Sequence, residues 1–109
     1  MYEVKEITPE ELQQKLENGE KLALIDVREE EEVQEGMIKE ADHIPMGQIP
    51  MVLDQLEKDK EYIFICRSGR RSENVCLYLQ DQGYDKVVNM VGGMLEWKGE
   101  TVPKSELHK

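Results

Sequence analysis

The sequence predicts an α/β domain built on a mostly parallel sheet, and three observations predict it. Short apolar runs of strand length alternate along the chain with stretches of helical spacing. The runs are apolar throughout rather than alternating, as strands covered on both faces are. No repeat, low-complexity tract or linker divides the 109 residues, so they form one domain. Residues 1–103 are expected to be that domain, and residues 104–109 a loose polar tail.

The elements follow in order. Thr8 is placed to cap a first helix, with Pro9 at its first position and Glu11 completing a capping box. Leu12 and Leu16 lie one turn apart on that helix, and Asn18-Gly19 ends it. The run Leu22-Ala23-Leu24-Ile25-Asp26-Val27 is a buried strand. Residues 29–35 predict a short acidic helix closed by Gly36, and the glutamates at 29–32 read as a solvated face rather than a metal site. Pro45 and Pro50 bracket a loop, after which residues 51–56 predict a helix with Val52, Leu53 and Leu56 inward. The run Tyr62-Ile63-Phe64-Ile65 is the second clear strand and leads straight into Cys66. Ser68-Gly69 marks a turn, and Ser72 is placed to cap a helix burying Val75, Cys76 and Leu79. Val87 to Met90 is a third strand, Gly92-Gly93 a turn, and Met94 starts a short last helix that includes Trp97.

Composition narrows the function. The formal net charge of -10 argues against nucleic acid and against an acidic membrane surface. No apolar run reaches the ~20 residues of a membrane span, and the charged N-terminus lacks a signal-peptide pattern. A cytoplasmic location is therefore expected. Two cysteines and two histidines, His43 and His108, make neither a disulfide scaffold nor a metal site, and no cofactor is called for.

The chemistry concentrates at Cys66-Arg67-Ser68-Gly69-Arg70-Arg71-Ser72, between a strand and a helix. A cysteine at the C-terminal end of a parallel strand stands where open α/β sheets place their ligands. Gly69 permits a sharp turn, in which successive N–H groups converge on an anion and a helix N-terminus adds positive potential. Arg67, Arg70 and Arg71 form a positive cluster in an acidic chain. These features favour a thiolate and suit covalent catalysis on a sulfur donor or on a phosphate or arsenate. A buried, inert strand-end cysteine is the plain alternative. Cys76, on an apolar stripe, reads as core packing, with a resolving thiol as its lesser reading. Arg28 by itself reads as half of a structural ion pair with a nearby glutamate.

Together these motifs resemble a single-domain rhodanese. The match runs through Asp26-Val27-Arg28 with Glu32, then Gly36, Ile38, Ala41 and Ile44-Pro45. It continues through the six-residue loop that opens with Cys66 and ends on Gly92-Gly93 and Trp97. The resemblance implies a central, mostly parallel five-stranded sheet with helices on both faces. It implies a sulfurtransferase in which Cys66 takes sulfane sulfur from thiosulfate or a persulfide donor and passes it to cyanide, a thiol, thioredoxin or another sulfur-carrier protein. Residues 67–72 would hold the persulfide, and Arg28 would help bind the donor. Met37, Glu40 and Val33 depart from the family pattern at structural positions. Ser68 replaces a lysine that some thiosulfate-using relatives carry, which puts the donor's identity in question.

The rivals are a regulatory or sulfur-relay module and, among enzymes, a cysteine-dependent phosphatase or arsenate reductase. The phosphatase needs arginine six positions after the cysteine, where this chain has Ser72; Arg71 falls one place early.

Overall fold

The computed structural model of the chain describes residues 3–108. Thr8 caps the first helix as its spacing predicts. Its hydroxyl accepts from the Glu11 N–H at 3.1 Å, and the Glu11 carboxylate accepts from the Thr8 N–H at 2.9 Å. The elements are β1 (Lys5–Ile7), α1 (Pro9–Glu17), β2 (Ala23–Asp26), α2 (Glu30–Glu35) and β3 (Ala41–His43). A 3-10 stretch, Met46–Gln55, leads to β4 (Tyr62–Ile65), α3 (Arg70–Asp81) and β5 (Val87–Met90). Further 3-10 turns cover Gly93–Glu96 and Lys104–His108.

The five strands form one parallel sheet in the order β1-β5-β4-β2-β3. The fold is α/β with helices on both faces, as the resemblance implies. Strand period two sorts the core into two layers. Leu24, Ile63, Ile65, Val88 and Met90 pack with Leu12 of α1 and Val33 of α2. Ile25, Phe64, Cys66 and Val87 pack with Val75, Cys76 and Leu79 of α3 and with Ile49. The apolar runs are continuous because each strand feeds both layers.

β1 and β3 are three residues each, too short to show a period, and they lie at the sheet edges. Pairing places them: Lys5 sits opposite Val88, and Leu24 opposite Ala41.

Two local expectations are corrected. The helix at 51–56 is a 3-10 stretch that begins earlier, at Met46, and contains Pro50. Proline has no N–H to donate to an α-helical ladder, so tighter turns take its place. Ile49 is the residue this stretch buries, whereas Val52, Leu53 and Leu56 are half-buried. The C-terminal residues pack instead of trailing. Met37 and Val102 exchange N–H···O=C bonds of 2.8 and 2.9 Å. This sets Lys104 3.0 Å from Glu30, brings the Ser105 N–H to the Gln34 side chain, and lays Leu107 on the α1–α2 layer. Among the described residues no helix is long and apolar enough to cross a membrane.

Candidate active site

β4 lies between β2 and β5, and it carries Cys66 out of its C-terminal end toward the α3 side of the sheet. The chain must then reverse into α3. Gly69 makes the reversal at φ +95°, and the helix begins at once with Arg70. A Cβ at Gly69 would press on the Gly92 and Met90 backbone at 3.1 and 3.3 Å. Glycine is thus required by conformation and by space.

Ser72 lies in the first turn of α3, and the cap position belongs to Gly69. The expectation that Ser72 caps the helix is therefore corrected: its hydroxyl turns inward to the sulfur instead. Cys66 Sγ receives the Gly69 N–H at 3.1 Å, the Ser72 N–H at 3.3 Å and the Ser72 Oγ at 3.3 Å. Burial pushes the Cys66 thiol up. Donation from the Ser72 hydroxyl and from the Ser72, Gly69 and Ser68 N–H groups outweighs it, and the net effect holds the thiol below its ordinary value. Cys76, in the same layer, receives no such donation among the described residues, and burial with the nearby Glu73 charge pushes it up to about 12.

Although the end of β4 is where an open sheet places its ligands, the sulfur is covered: Cys66 is 0% exposed. The Gly93–Glu96 turn clamps the loop from outside. The Met94 N–H donates to the Cys66 carbonyl and the Leu95 N–H to the Arg67 carbonyl, both at 2.9 Å. Beside Arg67, the residue after Cys66, lies a cleft of ≈ 510 Å³, lined also by Arg28, Glu32, Met94 and Leu95 among others.

The basic cluster divides. Arg67 and Arg70 are exposed and make no ion pair among the described residues, and Ser68 is exposed on the loop. Arg71 is held by Glu32 of α2 through two bonds of 2.8 Å. These bonds hold the Glu32 carboxyl down at about 2, against the burial that raises it. Arg28 gives Nε and Nη2 to the buried Asp26 and Nη2 to the Gly36 carbonyl at 2.8 Å, while its residue lines the cleft. Its partner is an aspartate two residues back, on the same side of β2, rather than a glutamate.

Asn89 was missed. It sits in the middle of β5, 3% exposed, bonded to Ser72 Oγ and to the Gly69 carbonyl. The signal was a lone amide inside an apolar strand, which must find buried partners. Among the described residues no group of three or more histidine, cysteine, aspartate or glutamate side chains converges to hold a metal.

The chain is similar to known proteins in sequence and in fold. Residues 8–100 match the rhodanese-like domain family. The YtwF protein of Bacillus subtilis is 60% identical over 103 residues, covering 94% of this chain and 99% of that protein. A protein of Allochromatium vinosum named sulfurtransferase is 40% identical over 100 residues, covering 92% and 94%. The crystal structure of a rhodanese-like domain protein from Staphylococcus aureus superposes with a TM-score of 0.82 at 39% identity, covering 89% of this chain and 94% of that one. On its sequence and on its sheet, the chain belongs to the rhodanese-like domain family.

Proposed function

We propose that this chain is a sulfurtransferase whose carrier is a persulfide on Cys66. One observation carries the reading: a main-chain and hydroxyl cradle donates to a single sulfur and holds its thiol below the ordinary value. A nucleophilic thiolate needs that environment, because its charge must be stabilised by donors fixed in advance. The sulfurtransferase name of the Allochromatium relative supports the same class.

The donor side follows from the charges. The Cys66 thiolate attacks the outer sulfur of thiosulfate, a new S–S bond forms, and the old S–S bond breaks with its electron pair leaving on sulfite. Exposed Arg67 and Arg70 favour an anionic donor, and Arg28 at the cleft wall adds a guanidinium that Asp26 keeps in place. A thiolate acceptor, on a small molecule or a carrier protein, then attacks the outer sulfur and regenerates Cys66. A protein persulfide could replace thiosulfate in the first half of this cycle without altering the second.

The test is intact-mass measurement after incubation with thiosulfate. The chain is expected to gain ~32 Da, one sulfur atom. Cys66→Ser should abolish the gain and Cys76→Ser should keep it, and addition of cyanide, glutathione or thioredoxin should return the mass to its starting value. A gain that survives Cys66→Ser rejects the assignment. A protein that stays unloaded by thiosulfate but is loaded by a persulfide donor keeps the carrier and changes the donor.

A further inference from the structure

Among the described residues, the buried polar or charged side chains are Asp26, Arg28, Ser72 and Asn89. The first two satisfy one another. The last two form a separate unit on the α3 side of the sheet, at Cys66.

The hydrogen-bond network fixes how this unit is arranged. The Gly69 carbonyl can only accept, so the group 3.0 Å from it is the Asn89 amide nitrogen, Nδ2. That turns Oδ1 toward Ser72, whose Oγ lies 2.5 Å away. Oδ1 cannot donate. Ser72 therefore has one proton and two acceptors, Asn89 Oδ1 and Cys66 Sγ.

The two protonation states of Cys66 use that proton differently. With a thiol, every group is served: the S–H donates to Ser72 Oγ, and the Ser72 O–H donates to Asn89 Oδ1. When the thiol proton leaves to solvent, the thiolate draws the Ser72 proton to itself. Oδ1 is then left without a donor in a site closed to water. After a second sulfur is added, the charge sits on the outer atom. Sγ becomes a weak acceptor, and the hydroxyl can return to Asn89.

We propose that Asn89 is a positioning residue that competes with Cys66 Sγ for the Ser72 hydroxyl proton, so that loading and unloading of sulfur turn that hydroxyl between two partners. Asn89 opposes the thiolate, and the cradle N–H groups favour it. The proposal rests on Cys66 as the sulfur carrier for its purpose, but its titration can be read without any sulfur transfer.

The other charges around the sulfur are Arg71 of α3, paired with Glu32 of α2, and Arg28 with Asp26 at the end of β2. Arg67 lies on the loop, Glu96 on the clamping turn, and Cys76 of α3 in the same apolar layer. A neutral substitution at 89 alters none of them. It also leaves the Gly69 carbonyl a donor, the Glu73 N–H at 3.2 Å.

The test is a pH titration of the Cys66 thiolate by its ultraviolet absorbance in the full chain, with Cys66→Ser as the blank. Asn89→Leu removes both amide groups at nearly constant shape, and Asn89→Val is a second apolar choice suited to a strand. Circular dichroism and thermal melting show that each variant is folded. Asn89→Leu is expected to lower the midpoint by about one unit. Ser72→Ala should raise it, and Ser72→Ala with Asn89→Leu should match Ser72→Ala alone. A midpoint unchanged or raised in the folded Asn89 variants overturns the proposal, and so does an Asn89 shift that persists without Ser72. If wild type takes up no sulfur while these shifts appear, the carrier reading fails and the proton competition stands.

Discussion

Cys66 and Cys76 lie in one apolar layer, and the Ser72 hydroxyl with the backbone N–H groups of the loop sets their thiols apart. Three donors converge on Cys66 Sγ, whereas burial and the Glu73 charge govern Cys76. Sequence spacing assigned Cys76 to the core and Cys66 to the loop, because an apolar helical stripe and a strand-end glycine turn are both local patterns. The guanidinium cluster was less legible. Three arginines in five positions look equivalent on paper, but Arg71 is committed to Glu32. That pair carries a pH dependence with a definite sign. The Glu32 carboxyl lies at about 2 in the fold, below its ordinary 4.5, so its contribution is present above pH ~4.5 and lost as pH falls toward 2. Glu32→Gln should be less stable than wild type at neutral pH by about 1–2 kcal/mol, after discounting for partial exposure, and the difference should vanish near pH 2. Urea midpoints of both proteins across that range check this.

At the scale of elements, the site is the meeting of β4, α3, β5 and the Gly93–Glu96 turn. Gly93 is the tightest point. A Cβ there would stand 2.4 Å from the Arg67 carbonyl oxygen and 2.6 Å from that of Cys66. Backbone cannot give way as a flexible side chain can, so Gly93→Ala should push the turn off the loop and break the Met94 and Leu95 bonds that hold it. We expect sulfur uptake to fall at least tenfold, a loss of ~1.4 kcal/mol or more in transition-state stabilisation. The clash falls on carbonyls beyond the end of β4 that bond the turn rather than a neighbouring strand, so the far-ultraviolet circular dichroism should stay that of wild type. Uptake at the wild-type rate would show that the clamp is dispensable. The sequence marked Gly92-Gly93 as a turn, but nothing in it says what the turn rests against. The same limit explains Ser72: a serine just after a glycine turn reads as a cap, and only the α3–β5 contact shows the hydroxyl facing a sulfur and an amide.

At the scale of the whole molecule, the C-terminal segment at residues 102–107 closes over the α1–α2 layer. Val102 pairs with Met37, Lys104 with Glu30, and Leu107 covers apolar surface there. We propose that residues 1–103 suffice to fold and that the tail adds only stability. A chain ending at Pro103 should remain folded and lose about 1–2 kcal/mol, the order expected from uncovering part of one leucine and one exposed ion pair. A urea melt measures the loss; an unfolded product would make the tail part of the domain.

The sequence by itself determined the α/β class, the three longer strands, the capped first helix and the loop that carries Cys66. Each of these is written in neighbouring residues: an apolar run, a Thr-Pro-x-Glu start, a glycine after a strand. Tertiary structure decided the two edge strands, the commitment of Arg71 to Glu32, the covering of the sulfur and the place of Asn89 beside Ser72. Those features join residues far apart in the chain, such as Arg71 with Glu32 and Ser72 with Asn89. They exist only because a parallel sheet brings the C-terminal ends of distant strands to one edge.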